Sequence, residues 1–328
     1  MINLEYMKNF RPLALFLFVS VLLGSCTVSK PFTLVLLPDT QVYAEKYPDI
    51  FYAQTKWIAD NAEKFSFVLH QGDITNRNAE AEWIVAARAM SALEGKIPYT
   101  VVVGNHDLGT RGTSDSRNAD LFNQYFPYGK HSAMPGFGGA LEAGKMEKTW
   151  YTFNAGGKKW LILSLEFAPR NKVLAWAEQV IKDHPNHKII LNTHAYMYSD
   201  DTRMAAAREH KWLPDRYGLG KATGEEAAND GDQIWDKLLS LYPGVMLAFS
   251  GHVLNDGVGT LVSTGKNGNK VYQMLANYQM GPNGGNGFLR LVTIDRKNKR
   301  ISVKTYSPHL DEFNTAADQQ FVFEDVAF

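Results

Sequence analysis

Residues 99–107 read Tyr-Thr-Val-Val-Val-Gly-Asn-His-Asp, and this stretch decides the fold. Three consecutive valines form a short β-branched run suited to a strand buried on both faces, and the run ends in glycine, an amide, an imidazole and a carboxylate. The same design recurs through the chain. FTLVLL leads into Asp39, SFVLHQG into Asp73, KIILNT into His194 and VMLAFSG into His252. In an open α/β sheet, ligands bind at the carboxyl ends of the strands. Asp39, Asp73, Asn105, His194 and His252 at such ends are expected to converge on one crevice. Their oxygen and imidazole donors suit one or two divalent metals.

Between these runs the pattern changes period. Tyr52, Trp57, Ile58 and Ala62 fall at helical spacing within 49–64, and Trp83, Ile84, Ala87 and Met90 do so within 80–93. Helix after strand predicts βαβ units with right-handed crossovers. Residues 111–148 are rich in Gly, Asn, Ser and Pro and are expected to form a long loop. Residues 195–230 are irregular and polar, and both segments are candidate substrate loops. Residues 149–167 read as a hairpin turning at Gly156-Gly157. Helices are expected at 173–182 and 233–241. Strand-like segments near 258–263, 270–276, 288–294 and 300–306 close the chain. The expected class is α/β, with two packed mixed β-sheets flanked by helices.

The order Asp39-x-Gln41, Gly72-Asp73-x-x-Asn76, Gly104-Asn105-His106-Asp107, Thr193-His194 and Gly251-His252 resembles the calcineurin-like metallophosphoesterase family. That family's pattern is D-x-H, G-D-x-x-[D/N], G-N-H-[D/E], H and G-H-x-H. Each motif is weak alone, but together and in order they are specific, and they span roughly two thirds of the chain. The resemblance implies an α/β sandwich and metal-dependent hydrolysis of phosphate monoesters or diesters by attack of metal-bound hydroxide. It places Asp73, Asn105, His194 and His252 around one metal, and Asp39 with the shared Asp73 on the other. Two ions ~3.5–4 Å apart clamp the attacking and leaving oxygens of an in-line displacement. His106 is not a ligand in the family; it contacts a phosphate oxygen and protonates the leaving alkoxide, a contribution of ~10²–10⁴ in rate.

Two positions depart from the family, and both belong to one metal. Gln41 replaces the histidine of D-x-H, and Leu254 replaces the second histidine of G-H-x-H. An asymmetric centre follows. The depleted site keeps Asp39, Asp73 and water, with the Gln41 amide oxygen as a doubtful ligand. Asn255 or Asp256 would be a replacement oxygen. Losing two imidazoles shifts that site toward Mg²⁺, Mn²⁺ or Ca²⁺ or leaves it partly occupied, and the expected cofactor is one or two divalent ions drawn from Mn, Mg, Fe, Zn or Ca. Asn76, Arg77, Arg111 and Arg170 are candidates for substrate binding, with Arg117 beside them, because a guanidinium grips phosphate bidentately.

Plainer readings stand beside these. Asp39 could cap a turn and His252 could be a core histidine. His70 reads as structural, and His131, His184, His187, His210 and His309 as surface residues. Trp57 and Trp83 read as helix-to-sheet packing.

Lys8 and Arg11 precede an apolar stretch from Leu13 to Leu23, too short to span a bilayer but suited to a signal peptide. Leu23-Gly24-Ser25-Cys26 looks like a bacterial lipobox, and Cys26 is the only cysteine in the chain. The expected organisation is a lipoprotein signal peptide with its lipidation cysteine over 1–26, a tether at 27–31, and one metallophosphoesterase domain over 32–328. The expected location is the bacterial cell envelope, with the lipid anchor as the only membrane contact. A lone cysteine excludes an intramolecular disulfide and a cysteine-based zinc cluster. The formal net charge of zero supplies no bulk attraction to nucleic acid.

Two other function classes remain in view. With one metal site eroded, the chain could be a non-catalytic, envelope-anchored binding module, against which stand Asp73, Asn105 and His106. A metal-independent hydrolase would need a nucleophile turn of the G-x-S-x-G type, and the chain has none.

Overall fold

In the computed structural model, residues 30–328 are described. The expected signal peptide, Cys26 and all but the last two residues of the tether lie outside the described residues. The strands, in chain order, are β1 (Phe32–Leu37), β2 (Phe67–His70), β3 (Tyr99–Val101), β4 (Phe137–Ala140), β5 (Thr149–Ala155), β6 (Lys158–Ser164) and β7 (His187–Asn192). They continue as β8 (Val245–Ser250), β9 (Val258–Thr264), β10 (Lys270–Ala276), β11 (Leu289–Asp295), β12 (Arg300–Ser307), β13 (Glu312–Asn314) and β14 (Phe321–Phe323). The helices are α1 (Gln41–Lys46), α2 (Pro48–Asp60), α3 (Glu80–Ser91), α4 (Asp120–Tyr125), α5 (Tyr128–His131), α6 (Asn171–Asp183) and α7 (Gly231–Lys237).

Two seven-stranded mixed sheets result. One runs β13-β12-β11-β1-β2-β3, with β14 also paired to β12, and the other runs β4-β5-β6-β7-β8-β10-β9. Strands β1, β2 and β3 are mutually parallel, and so are β6, β7, β8 and β10. The expected α/β sandwich is therefore what forms. The last strands divide between the layers: β9 and β10 extend one sheet, while β11 and β12 extend the other.

The continuous apolar runs are explained by burial on both faces. In β1, Leu34 and Leu36 join the cluster shared with Trp160, Ile162, Ile190 and Phe249 of the other sheet, while Val35 and Leu37 join Ile58, Trp83 and Met90 on the helical side. Cross-sheet hydrogen bonds fix the layers against each other. Thr100 Oγ1 and Ser164 Oγ are 2.8 Å apart, and Asn192 Nδ2 donates to the His70 carbonyl at 3.1 Å.

Three expectations are corrected. Residues 111–148 are not one loop but carry α4, α5 and β4. Phe122 and Phe126 are buried against Trp83, so the apolar face of a short helix anchors this polar stretch. His131 is buried against Tyr99 and Phe126 rather than exposed. His210 is buried too, stacked on Tyr198 with centroids 3.8 Å apart. His309 is exposed as expected. The segment 195–230 is irregular as expected, built of single 3₁₀ turns.

Candidate metal centre

Strands β1, β2 and β3 of one sheet and β7 and β8 of the other end at the same place. The turns that follow carry Asp39, Asp73, Asn105, His194 and His252, all buried. Asp73 (φ +45°) and His252 (φ +76°) occupy the left-handed region, which costs a non-glycine residue on the order of 1 kcal/mol or more. Close approach needs glycine here: a Cβ on Gly104 would overlap the Asp73 carboxylate and backbone, and one on Gly251 would overlap the Asp39 carboxylate.

Four acceptor atoms meet in the centre. His194 Nε2 lies 3.1 Å from Asn105 Oδ1, 3.2 Å from Asp73 Oδ1 and 3.2 Å from His252 Nδ1. The far ring nitrogens face carbonyls, which only accept: His194 Nδ1 is 2.8 Å from the Gln71 oxygen, and His252 Nε2 is 2.8 Å from the Trp212 oxygen. The ring protons therefore sit on those outer nitrogens. In the neutral rings, the two inner nitrogens face each other and two oxygens with no proton between them. Donors about 2.1 Å from a common ion stand about 3–3.5 Å apart, so these separations fit a shared cation. The carbonyl partners fix both tautomers, as partners behind metal-bound histidines do.

Electrostatics point the same way. Burial pushes the Asp39 carboxyl up to about 7, against the pull of His194 and with the push of Asp73. At Asp73 burial also raises, but His194, His106 and His252 outweigh it and hold the carboxyl well below the usual range. Burial lowers His252 to about 3. At His194 burial is outweighed by Asp73, which lifts the imidazole to about 9, so without an ion the inner nitrogen holds a proton that a bound cation would displace. Paired buried carboxylates driven apart in this way are relieved by a cation between them.

The second position shows a different orphan. Gln41 is buried, its Nε2 reaches Asn76 Oδ1 at 3.5 Å, and its Oε1 has no partner among the described residues. Asp39 accepts from the His252 backbone N–H at 3.1 Å, which ties it to the same centre. Leu254 lines the cleft where the family's second histidine would stand. Asn255 and Asp256 do not replace it: Asn255 donates to Ser199, and Asp256 borders another cavity.

His106 lines the cleft beside these groups. Its backbone N–H donates to Asp73 Oδ1 at 2.9 Å, and its Nδ1 is 2.7 Å from the Asn76 oxygen. Nε2 is left as the ring atom available to a substrate. Burial would lower this imidazole, but Asp73 and the Asn76 carbonyl outweigh it, and the pKa is raised. Asp107 clamps the loops together, accepting from the N–H groups of Ile74 (3.0 Å), Thr75 (2.8 Å) and Gly104 (2.8 Å).

Asn76 lines the cleft, but the arginines do not. Arg77 is mostly exposed and pairs with Glu45 at 2.8 Å. Arg111 is exposed in the loop after Asn105. Arg170 is tied to Glu166 and Glu226 beside a separate cavity that it shares with Arg117. Sequence reasoning missed Trp212 and Tyr217, which line the cleft from within 195–230. Asp107 lay inside a quoted motif with no role assigned; its place after Asn-His was the signal.

A calcineurin-like phosphoesterase family model matches residues 32–256. The chain is 31% identical over 296 residues to the uncharacterized protein YvnB of Bacillus subtilis strain 168, covering 86% of this chain and 20% of that protein. Among solved structures it resembles the purple acid phosphatase PPD1 from yellow lupin, with a TM-score of 0.51 and 16% identity over 90% of this chain and 54% of that one. At that identity the likeness is one of fold. The chain thus spans about a fifth of its curated relative and about half of the phosphatase. With the family model covering more than half of the residues, the chain belongs to the calcineurin-like phosphoesterase family.

Proposed function

We propose that the protein is a metal-dependent hydrolase of phosphate esters, and that 32–328 works as one catalytic unit. The observation that carries this is the meeting of Asp73, Asn105, His194 and His252, with Asp73 Oδ1, Asn105 Oδ1 and His252 Nδ1 each 3.1–3.2 Å from His194 Nε2. Those residues would hold one divalent ion. Asp39, the shared Asp73 and the partnerless Gln41 oxygen would hold a second, harder and weaker one. A bound ion would polarise the phosphoryl oxygens and acidify water toward ~7.

The chain's own residues do the rest. The Asn76 carbonyl orients His106 and keeps the Nδ1 proton, so that Nε2–H faces the cleft. Asp73 and the Asn76 carbonyl raise the pKa of this imidazole, the direction a general acid for a leaving alkoxide requires. Asp107 keeps the turns bearing Asp73 and His106 in register.

The test is turnover of p-nitrophenyl phosphate and bis(p-nitrophenyl) phosphate with added Mn²⁺ or Mg²⁺. Wild-type hydrolysis should disappear in Asp73→Ala and fall ~10²–10⁴-fold in His106→Ala. Two tightly bound zinc or iron ions per purified chain would contradict the asymmetric centre. Leu254 in the cleft favours a second reading, a binding module without turnover. Absence of hydrolysis with any metal, together with retained ligand binding, would select it. We further propose lipid anchoring through Cys26 in a bacterial envelope, which mass spectrometry of the mature N-terminus tests directly.

A further inference from the structure

The cleft has a volume of about 280 Å³, and its wall chemistry is one-sided. Val42, Trp212, Tyr217, Leu254 and Met280 supply apolar and aromatic surface, with Gln279 as a neutral polar neighbour. No lysine or arginine lines it among the described residues. Arg77, Arg117 and Arg170 are spent elsewhere, on Glu45, Glu166 and Glu226, and Arg111 is exposed outside the cleft lining.

Charge decides what such a cleft accepts. A terminal phosphate monoester is a dianion near neutral pH, and proteins commonly meet it with bidentate guanidinium groups. With only the tightly held divalent ion in place, the formal charges of Asp39 and Asp73 would cancel it. No lysine or arginine among the described residues stands there to add positive charge. A diester has one negative charge and two organic substituents. It asks for less compensation and more apolar surface.

The apolar wall is held in place rather than draped. The Trp212 backbone carbonyl receives the His252 ring proton at 2.8 Å. The Tyr217 ring packs edge-on against Phe167 with centroids 5.2 Å apart, and lies 6.1 Å from the His252 ring. Two residues further on, the Leu219 N–H donates to the Ser114 carbonyl at 3.0 Å, pinning the segment 195–230 to the loop that follows Asn105. The surface that would take an ester substituent is thus fixed to the elements that carry the centre. The Tyr217 hydroxyl makes no hydrogen bond among the described residues, so the residue offers a donor at its tip and a ring face along its side.

We infer that the cleft selects phosphodiester monoanions carrying at least one bulky apolar or aromatic ester group, seated against Trp212, Tyr217 and Met280. This rests on the phosphoesterase reading above and narrows its substrate class.

The test is calorimetric titration of the manganese-loaded full chain in detergent with diphenyl phosphate and, separately, phenyl phosphate. Diphenyl phosphate should bind at least tenfold more tightly. Tyr217→Ala and Met280→Ala should each weaken diphenyl phosphate several-fold more than phenyl phosphate. Met280 is 67% exposed, so its variant does not endanger the fold. Leu254→Arg should narrow or reverse the preference by placing a guanidinium in the cleft. Phenyl phosphate binding as tightly as the diester, or neither ligand binding, overturns the inference. Turnover of the two nitrophenyl esters is read separately. Its absence sinks the hydrolase reading, while the ranking of the two titrations still decides selectivity.

Discussion

Gly72→Ala tests whether the imidazole of His194 is held in place for a cation. Gly72 joins β2 to Asp73 at φ +91°, and a Cβ there would stand 2.8 Å from His194 Nδ1 and 2.8 Å from the Gly104 nitrogen. An ordinary contact is about 3.4 Å, so the methyl must displace its neighbours by about 0.6 Å. Gly104 is backbone and cannot swing away, so the ring takes much of the shift. Its 2.8 Å bond to the Gln71 carbonyl is the first loss, and that bond fixes which nitrogen faces Asp73, Asn105 and His252. Strain at positive φ costs about 1–2 kcal/mol, and overpacking adds about 1–3 kcal/mol. The sum lies within the ~5–15 kcal/mol stability of an ordinary fold, so the variant should still fold. Loss of the partner behind a metal-bound histidine typically weakens binding by about 10–100-fold.

Gly95→Ala is the matched control. Gly95 has φ +67° and nothing within 4 Å of its Cβ position. It also carries positive-φ strain, but without the clash. Titrating Mn²⁺ into wild type and both variants, with thermal unfolding in parallel, separates the two effects. Both variants should unfold a few degrees lower without metal, and Gly72→Ala alone should lose metal affinity. Unchanged affinity in Gly72→Ala, or an equal loss in Gly95→Ala, would refute the claim that the ring's position serves a cation.

Leu254→His returns an imidazole to the depleted position and should raise the tightly bound metal from one ion per chain to two, counted by elemental analysis; an unchanged stoichiometry refutes it. His131 is buried with both ring nitrogens partnerless, and burial, aided by Lys130, lowers its pKa from 6.5 to about 4. Between those values the unfolded chain binds the extra proton, so this contribution is complete above pH 6.5 and is lost as pH falls toward 4. The difference corresponds to about 3 kcal/mol. Urea unfolding at pH 7.5 and 4.5 should show a smaller acid loss in His131→Leu, and an identical loss rules the mechanism out. Glu166 is buried among Arg170 (2.7 Å), Arg117 (3.3 Å) and Lys148 (3.8 Å). Glu166→Gln leaves those cations underneutralised and should cost about 3–5 kcal/mol in chemical denaturation; a cost below about 1 kcal/mol would show that the network is slack.

The metal candidates were legible because local chain geometry carries them. A strand buried on both faces announces itself as an unbroken apolar run, and its carboxyl end is simply where the run stops, so Asp39, Asp73, Asn105, His194 and His252 could be placed before any contact was known. Sheet membership was not legible in that way. Strands β9 to β12 look alike in sequence, yet β10 pairs in parallel with β8 while β11 crosses to β1 through antiparallel contacts some 260 residues apart, as between Thr33 and Thr293. The arginines failed for a related reason. Phosphate and carboxylate attract a guanidinium equally well, and whether Arg170 meets a ligand or Glu166 depends on where the following chain lies. Trp212 and Tyr217 sit in a stretch with no period at all, held by single bonds such as Leu219 to Ser114 rather than by a repeating pattern. The candidate ion-holding part of the cleft was thus written in strand ends, and the part proposed to face an ester substituent was written in tertiary contacts. The two can change independently. The loss of histidine at positions 41 and 254 alters one rim of the centre while Asn105, His194 and His252 keep their mutual geometry, as expected of a site whose chemistry and selectivity are carried by different kinds of structure.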